Sequence, residues 1–299
     1  MGSGHGHGGV SAAGKNKKNL IIVLILTSAY LIAEVIGGIW TGSLALLADA
    51  GHMLTDVAGL ALALLAIWFA EKPATPQRTY GYYRFEILAA LTNAVVLIGI
   101  SIYILYEAYQ RFLDPPEVQS GTMLIIAAIG LVINLFGMWL LYSSSKESLN
   151  MKGAYFEVLS DMLTSIGVII AGVIMLTTGW YYADPILSAG IGLFILPRTW
   201  KLMMDAVGVL LEGTPSDVNI TALRESLEKL EGVADVHDLH VWSITSGMNA
   251  MSVHAALEEN QSFDEVLARV KDHCLENFKI SHVTVQVEPL GFAEKETHL

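Results

Sequence analysis

Six long apolar runs dominate the 299-residue chain between residue 19 and about residue 208. Each run approaches or exceeds the roughly 20 residues that an α-helix needs to cross the hydrocarbon core of a bilayer. Hydrophobic residues make up 53% of the chain and charged residues 15%, whereas about 25% of a typical soluble domain is charged. Asp184 and Pro185 are typical of the first residues of a helix. The runs predict a bundle of six transmembrane helices at residues 19–40, 43–70, 86–108, 121–143, 154–177 and 184–205.

The basic residues near the ends of these spans are distributed unequally between the two sides of the membrane. One side has Arg111 alone. The other side has Lys15, Lys17, Lys18, Lys72, Arg78, Arg84, Lys146, Lys152, Arg198 and Lys201. Lys and Arg collect on the cytoplasmic side of membrane proteins. We therefore expect a multi-pass protein of the cell membrane, embedded in the lipid bilayer, with both termini in the cytoplasm.

The two ends of the chain differ from the apolar middle, residues 19–208. Residues 1–18 are rich in Gly and Ser and include His5 and His7, which predicts a disordered cytoplasmic tail. Two interpretations of these histidines are open: they bind metal, or they are part of a flexible leader segment. Residues 209–299 predict a separate cytoplasmic α+β domain of the ferredoxin-like type. Its elements are a helix at 217–230, strands at 236–244 and 248–257, a helix at 263–278 and a strand at 283–287.

Charge and cysteine content exclude some classes of function. The formal net charge is −12, which argues against a nucleic acid as partner because nucleic-acid-binding domains carry a basic surface. The chain has one cysteine, Cys274, so an intrachain disulfide is excluded. We expect Cys274 to be a buried structural thiol.

Ionisable residues inside two of the predicted spans are the main functional signal. His52 and Asp56 lie four residues apart in the second span, and Glu157 and Asp161 repeat this spacing in the fifth. Residues four apart share a helix face, and a charge at the centre of a span costs at least about 2.5–3.5 kcal/mol. One imidazole and three carboxylates suit a divalent transition metal. The pattern predicts that the four side chains bind one metal ion between the two spans.

Other polar residues in the spans have less specific interpretations. Asp49 has two interpretations. It lies next to the metal ligands without binding the metal itself, or its negative charge stabilises the start of its helix. Glu34, Asn93 and Asn134 are predicted to form hydrogen bonds between helices.

Several motifs resemble those of the cation diffusion facilitators, in the branch of bacterial zinc, cobalt and cadmium exporters and animal vesicular zinc transporters. They are SLALLADAGHMLTD (43–56), YGYYRFEILAALTN (80–93), LNMKGAYFEVLSDMLTS (149–165), LEGTP (211–215), HDLHVWSITSG (237–247) and HVTVQVE (282–288). The resemblance extends from about residue 19 to residue 289. It implies a homodimer with six spans and a cytoplasmic domain, which exports a divalent metal in exchange for protons.

The chain departs from this resemblance at Glu157, where the zinc branch usually has His. A carboxylate there favours harder cations such as Mn²⁺ or Fe²⁺, but one His with three carboxylates still suits Zn²⁺. We expect Zn²⁺ as the main substrate. The alternative is a broader exporter, or one that prefers Fe²⁺, Mn²⁺, Cd²⁺ or Co²⁺.

The resemblance also implies a regulatory metal site in the cytoplasmic domain, formed by His237, His254 and Glu288. Gln286 stands where some relatives have a ligand histidine, and His282 is predicted to take its place. In this interpretation, metal is the transported substrate and a regulatory ligand, and no cofactor is expected.

Two other classes of function were compared with an exporter. The chain has no GxxxxGK[ST] loop for ATP, and Met53 follows His52 where the HExxH motif of metalloproteases requires Glu. An intramembrane metalloenzyme is therefore disfavoured, and we predict that the chain is not an enzyme. A metal sensor anchored by its spans would bind metal without moving it across a sealed vesicle.

Overall fold

The computed structural model describes the backbone of residues 12–70, 75–142 and 149–292. Within these ranges it describes the side chains of residues 21–55, 57–58, 61, 75–142 and 155–292. Six long helices are followed by an α+β fold. The helices are α1 (Ala12–Thr41), α2 (Leu44–Ala70), α3 (Arg84–Leu113), α4 (Ser120–Tyr142), α5 (Leu149–Thr178) and α6 (Ala183–Leu210). The later elements are α7 (Ile220–Leu227), β1 (Val233–Thr245), β2 (Met248–Leu257), α8 (Phe263–Phe278) and β3 (His282–Pro289).

The long helices agree with the predicted membrane spans. Among the described residues, five helices are long and apolar enough to cross a membrane, namely α1, α3, α4, α5 and α6. Helix α2 has 27 residues, and its described side chains from Leu44 to Thr55 are mostly buried. Large apolar side chains lie on the outer surface, such as Ile39 at 71% and Trp139 at 72% exposure. Exposed apolar residues on helices that satisfy their own backbone hydrogen bonds are expected of a multi-pass membrane protein.

Helix α1 begins earlier than predicted. The sequence predicts disorder for residues 1–18, but the helix starts at Ala12. Alanine and lysine are good helix formers, so the residues from Ala12 to Lys18 can continue the helix of the first span. Residues 1–11, which include His5 and His7, lie outside the described part of the chain, and their predicted disorder stays a prediction.

The membrane helices pack closely where one of them has a small residue. Buried side chains of α2, α4, α5 and α6 form an apolar core that includes Leu46, Met123 and Met175. Gly130 of α4 has no space for a side chain, because an added Cβ would overlap the ring of Tyr30 on α1. Close approach at small residues is the usual way in which membrane helices associate.

A single carboxylate connects the start of α6 to the start of α2. The carboxylate of Asp184, although predicted to begin its own helix, accepts hydrogen bonds from Ser43 Oγ (2.7 Å) and from the N–H groups of Leu44 (2.9 Å) and Ala45 (3.2 Å). It is fully buried, and an Arg111 nitrogen lies 3.6 Å away. The first N–H groups of a helix have no partner within that helix. Asp184 therefore provides the cap for α2 and fixes the position of its first turn.

The described residues form two compact units, and neither is continuous in sequence. The first consists of the residues before Leu64 together with Thr92–Lys201, and the second of Leu64–Leu91 together with the chain from Leu202 onward. The sequence predicts a simpler division, with one boundary between a transport domain at 19–208 and a cytoplasmic domain at 209–299. In the structure, the connection between α2 and α3 belongs to the same unit as the α+β fold.

Side-chain contacts explain why this connection joins the second unit. Thr245 Oγ1, at the end of β1, donates a 2.6 Å hydrogen bond to Glu86 Oε2 in the first turn of α3. The ring of Tyr80 packs edge-on against the ring of His282, with centroids 5.7 Å apart. These contacts involve residues far apart in sequence, so a linear division of the chain does not reveal them.

The α+β fold confirms the element order expected from the sequence. Its sheet has the order β1-β2-β3. Strands β1 and β2 are antiparallel and joined by a tight turn in which Gly247 has φ +73°, a conformation that costs glycine little. Strand β3 follows α8 and is parallel to β2. The core includes Leu223 of α7, Met251 of β2 and Cys274 of α8. Cys274 is a buried free thiol as predicted, and burial raises its pKa to about 11.

We expect Asp184→Ala to destabilise the first of the two units, called the membrane unit below, because it removes the cap of α2 and leaves Arg111 without this carboxylate. Breaking a buried ion pair costs about 3–5 kcal/mol. At about 2–4 °C per kcal/mol, the melting temperature should fall by roughly 6–20 °C. Thermal unfolding of the detergent-purified protein, followed by tryptophan fluorescence, measures this change.

The matched control is Asp205→Ala, which removes an exposed carboxylate from the same helix. Surface substitutions usually change stability by less than about 0.5 kcal/mol, so its melting temperature should stay close to that of the parent. Equal losses in the two variants would contradict the special role of Asp184.

Candidate metal centres

The membrane unit brings a histidine of α2 close to a carboxylate of α5. The Nε2 atom of His52 lies 4.0 Å from Oδ1 of Asp161, and both residues are buried. Two ligands that each lie about 2.0–2.1 Å from a tetrahedral Zn²⁺ are about 3.4 Å apart. A small inward movement would therefore let both atoms bind one cation.

Glu157, one turn before Asp161 on α5, already has a positively charged partner. Both of its carboxylate oxygens bind the guanidinium of Arg198 from α6, with Nη1 donating to Oε2 at 3.0 Å and Nη2 donating to Oε1. The two side chains are partly exposed. Bidentate pairing of Arg with a carboxylate is strong and directional, so a metal ion that binds Glu157 has to displace this guanidinium.

The other predicted members of this site have different outcomes. The side chain of Asp56 lies outside the described residues, so its role as a ligand stays a prediction. Asp49 is buried, at 1% exposure, one turn before His52 on α2. Sequence reasoning did not recognise Arg198 as part of the site, because it assigned this residue to the basic cytoplasmic flank. Its position fifteen residues after the first residue of α6, directly after Pro197, was the available signal.

The α+β fold brings together three metal-binding side chains, one from each strand. His237 of β1 is directly opposite His254 of β2 in the antiparallel register. His254 is opposite Gln286 of β3, and side chains two residues apart point to the same face of a strand, which places Glu288 on that face. One ligand atom from each of His237, His254 and Glu288 lies within 4.8 Å of the others. We call these three residues the cytoplasmic cluster.

Distances within the cytoplasmic cluster suit a single cation. Nδ1 of His254 lies 3.1 Å from Oε1 of Glu288, and Nε2 of His237 lies 3.4 Å from Oε2. Glu288 is buried at 3% exposure, and the histidines are half-buried. Gln286 donates a 2.7 Å hydrogen bond to Glu288 Oε1. Gln286 therefore orients the carboxylate of Glu288. The sequence indicated only that Gln286 stands where some relatives have a ligand histidine, and it did not suggest this role.

An aspartate next to the cytoplasmic cluster was not predicted. Asp238 has φ +49° and lies in an irregularity of the β1–β2 register between His237 and His240. Its Oδ2 lies 3.6 Å from Nε2 of His254. The hydrogen bond with His240 lowers the pKa of the Asp238 carboxyl, and the nearby histidines act in the same direction. The HDLH sequence at 237–240, with Asp between two histidines, was the signal for this residue.

His282 does not take the place predicted for it. It lies at the start of β3, where its ring packs against Tyr80. At about 3.3 Å per residue along a strand, its Cα is about 20 Å from that of Glu288. The structure therefore does not bring His282 together with His237, His254 and Glu288 within this chain, and its role as a ligand stays a prediction.

Comparisons with known proteins agree with both parts of the fold. The family model described as the cation efflux transmembrane domain matches residues 20–211, and the cation efflux protein cytoplasmic domain matches residues 215–290. The metal cation efflux system protein CzcD of Cupriavidus metallidurans is 48% identical over 96% of this chain and 90% of its own length. The cadmium, cobalt and zinc/H(+)-K(+) antiporter of Bacillus velezensis is 46% identical over 100% of this chain and 96% of its own length.

The zinc transporter ZitB of Yersinia pestis is a further relative, 42% identical over 91% of this chain and 88% of its own length. The names of these three relatives describe efflux or transport proteins, which confirms the prediction that this chain is not an enzyme. The resemblance noted from the sequence motifs is also confirmed. The chain belongs to the cation efflux family, the cation diffusion facilitators.

Proposed function

We propose that this protein is a homodimeric exporter in the cell membrane, which moves Zn²⁺ out of the cytoplasm in exchange for protons by alternating access. The observation that carries this proposal is the buried pair of His52 and Asp161, whose nitrogen and oxygen lie 4.0 Å apart between two membrane helices. Ionisable groups inside membrane spans usually mark the pathway of an ion. Membership of a family of exporters supports the direction of transport.

The transport site of this proposal consists of His52, Asp56, Glu157 and Asp161. A metal ion binds a neutral imidazole and ionised carboxylates, so binding releases protons. Protons that enter from the other side of the membrane recharge the same groups and release the metal. Metal and protons thus compete for one site, and a proton gradient drives the metal outward.

The pairing of Glu157 with Arg198 adds a step to this cycle. In the structure the guanidinium neutralises the carboxylate. An arriving divalent cation replaces Arg198 at Glu157, and Arg198 returns to the carboxylate when the metal leaves. The exchange keeps Glu157 compensated in both states, which lowers the cost of an empty site inside a membrane protein.

The choice of Zn²⁺ as main substrate rests on the relatives named for zinc transport and on the donor set of one imidazole with three carboxylates. Since Glu157 replaces the usual imidazole, a broader range that includes Cd²⁺, Co²⁺, Fe²⁺ or Mn²⁺ is the second candidate.

The cytoplasmic cluster serves as a regulatory metal site in this proposal. It lies in the segment that matches a domain model named for dimerisation, which supports a homodimer. The distribution of Lys and Arg supports a cytoplasmic location for both termini and hence for this domain. Metal bound by His237, His254 and Glu288 would then report the cytoplasmic metal concentration.

Transport by purified protein in proteoliposomes with an imposed pH gradient tests the transport site. We expect His52→Ala and Asp161→Ala to lower the initial rate of Zn²⁺ transport at least about tenfold, because each removes a ligand, and even residues that only support a ligand contribute 10–100-fold. His273→Ala is the control, since His273 lies on α8 and bonds Ser226. Transport at the parent rate by both site variants would show that the assignment is wrong.

A competition assay tests how Glu157 and Arg198 set the metal range. Zn²⁺ transport is measured against Cd²⁺, Co²⁺, Fe²⁺ and Mn²⁺. We expect Glu157→His combined with Arg198→Gln to narrow the range toward Zn²⁺, because a borderline nitrogen ligand replaces a hard oxygen. Arg198 is replaced as well, since its charge would otherwise repel the metal at a site without the carboxylate.

Arg198→Gln alone is the matched control for this assay. It should raise the apparent affinity for Zn²⁺ about fivefold, the effect of removing a partly exposed ion pair worth up to about 1 kcal/mol, and leave the range of metals unchanged. An unchanged range in the double variant would contradict the role of Glu157 in selectivity.

Metal binding by the full-length protein tests the cytoplasmic cluster. We expect His254→Ala to remove one class of bound Zn²⁺ in equilibrium titrations, whereas His282→Ala leaves binding unchanged because its ring faces Tyr80. Binding at this site should also weaken in acid, because a metal ion binds neutral imidazole and ionised carboxylate, so protons compete with it. Equal losses in the two variants would rule out the cluster as the site.

A further inference from the structure

Two carboxyl groups outside the proposed metal ligands lie together inside the membrane unit. Glu34 of α1 is 0% exposed and Asp49 of α2 is 1% exposed. The two groups are close enough to influence each other's charge directly. Neither forms an ion pair with Lys, Arg or His among the described residues. The proposed transport site does not use either group as a ligand.

Several buried polar atoms of the membrane helices lack a hydrogen bond of normal geometry. Within the described part of the chain, no hydrogen bond of normal geometry reaches either carboxylate oxygen of Glu34 or Oδ1 of Asp49, although the Tyr30 hydroxyl lies beside Glu34 and the Thr164 hydroxyl beside Asp49. The same holds for the hydroxyl of Tyr30, one turn before Glu34 on α1, and for Oδ1 of Asn134 on α4. Both residues are buried, at 2% and 1% exposure. Buried polar groups are normally hydrogen-bonded, so the unsatisfied carboxylate oxygens of Glu34 on α1 and Asp49 on α2 indicate a site for a small ligand.

The ligand has to be positive, because the charged groups around Glu34 are acidic. Asp49 faces it from α2, and Asp161 acts on it from α5. Tyr30 is the titratable neighbour on α1. Two carboxylates side by side in an apolar site cannot both stay ionised without a bound cation or proton.

We propose that Glu34 and Asp49 form a proton-binding pair, separate from the metal ligands, which carries one of the protons exchanged for metal. The inference rests on the proposed metal–proton exchange. It adds two residues that bind one of the exchanged protons. A proton needs only the two carboxyl groups, whereas a metal cation needs a fuller shell of oxygen atoms. The protonated carboxyl donates a hydrogen bond to the other and thereby satisfies an oxygen that is otherwise unpartnered.

The position of the pair explains how metal binding would release its proton. Asp49 lies one turn before His52, and Glu34 senses the charge of Asp161. A negative Asp161 in the metal-free site favours the protonated pair. A divalent cation bound by Asp161 cancels this effect and favours loss of the proton to water. Because linkage is reciprocal, a proton that returns to the pair weakens metal binding.

Steady-state accumulation of Zn²⁺ in proteoliposomes, measured as a function of the imposed pH gradient, tests the pair. Each coupled proton supplies about 1.4 kcal/mol per pH unit, which corresponds to about tenfold in the Zn²⁺ concentration ratio. We expect Glu34→Gln to lower the ratio about tenfold per pH unit of gradient. Its Zn²⁺ affinity should also depend less steeply on pH than that of the parent, because one fewer proton is released when the metal binds.

Further variants distinguish a specific role of Glu34 and Asp49 from a general loss of transport. Asp49→Asn should lower the ratio by the same factor, and the double variant should lower it no further, because the two groups share one proton. Glu34→Asp keeps a carboxyl group and should restore most of the response. Glu107→Gln is the matched control, since this carboxylate pairs with Arg111 and is not part of the Glu34–Asp49 pair. The response of this variant to the pH gradient should equal that of the parent.

The outcomes distinguish this inference from the proposed function. A parent protein that ignores the pH gradient would overturn metal–proton exchange itself. A responsive parent together with equally responsive Glu34→Gln and Asp49→Asn variants would overturn the pair alone. If the variants lose a response to a Na⁺ or K⁺ gradient and keep the response to pH, the site binds a monovalent metal ion and the proton assignment is wrong. If Glu34→Gln does not fold, Asp49→Asn provides the same readout.

Discussion

A carboxylate among apolar helices needs a positive group, a hydrogen-bond donor or a proton, because no water is available to solvate its charge. The membrane unit satisfies this constraint in several ways. Asp184 accepts hydrogen bonds from the first turn of α2, and Glu157 binds the guanidinium of Arg198. Asp161 lies beside His52. Each of these contacts joins two different helices, so the compensation of charge also determines how the helices are placed.

The same constraint connects the fold to transport. A buried acid whose partner can be exchanged is a cation site, whereas one whose partners are fixed is structural. Asp184 is structural, since backbone N–H groups cannot leave it. In the proposed cycle Glu157 is exchangeable, because its partner Arg198 is a side chain and both residues are partly exposed. Glu34 and Asp49 represent a third case, for which we propose a shared proton. Metal, guanidinium and proton are thus alternative solutions to one physical requirement.

The cytoplasmic cluster follows different rules, because water can reach its histidines. Strand register brings its three residues together, since His237 and His254 are directly opposed and Glu288 follows Gln286 by two residues on the same face. A shift of one residue would send every one of these side chains to the other face. Antiparallel pairing of β1 with β2 and parallel pairing of β2 with β3 are therefore as important to this site as the identity of its ligands.

The sequence by itself determined the number and approximate limits of the spans, the order of elements in the α+β fold, the family and the candidate ligands, including His52 and Asp161. These features depend on apolar runs, on spacing within one element and on motifs, all of which are local. Only the tertiary structure decided that Arg198 binds Glu157, that Asp184 caps α2 and that His282 packs against Tyr80. Most of these contacts join residues far apart in the chain. A residue's type shows that its charge needs a partner, but only the packing of helices and strands decides which partner it meets.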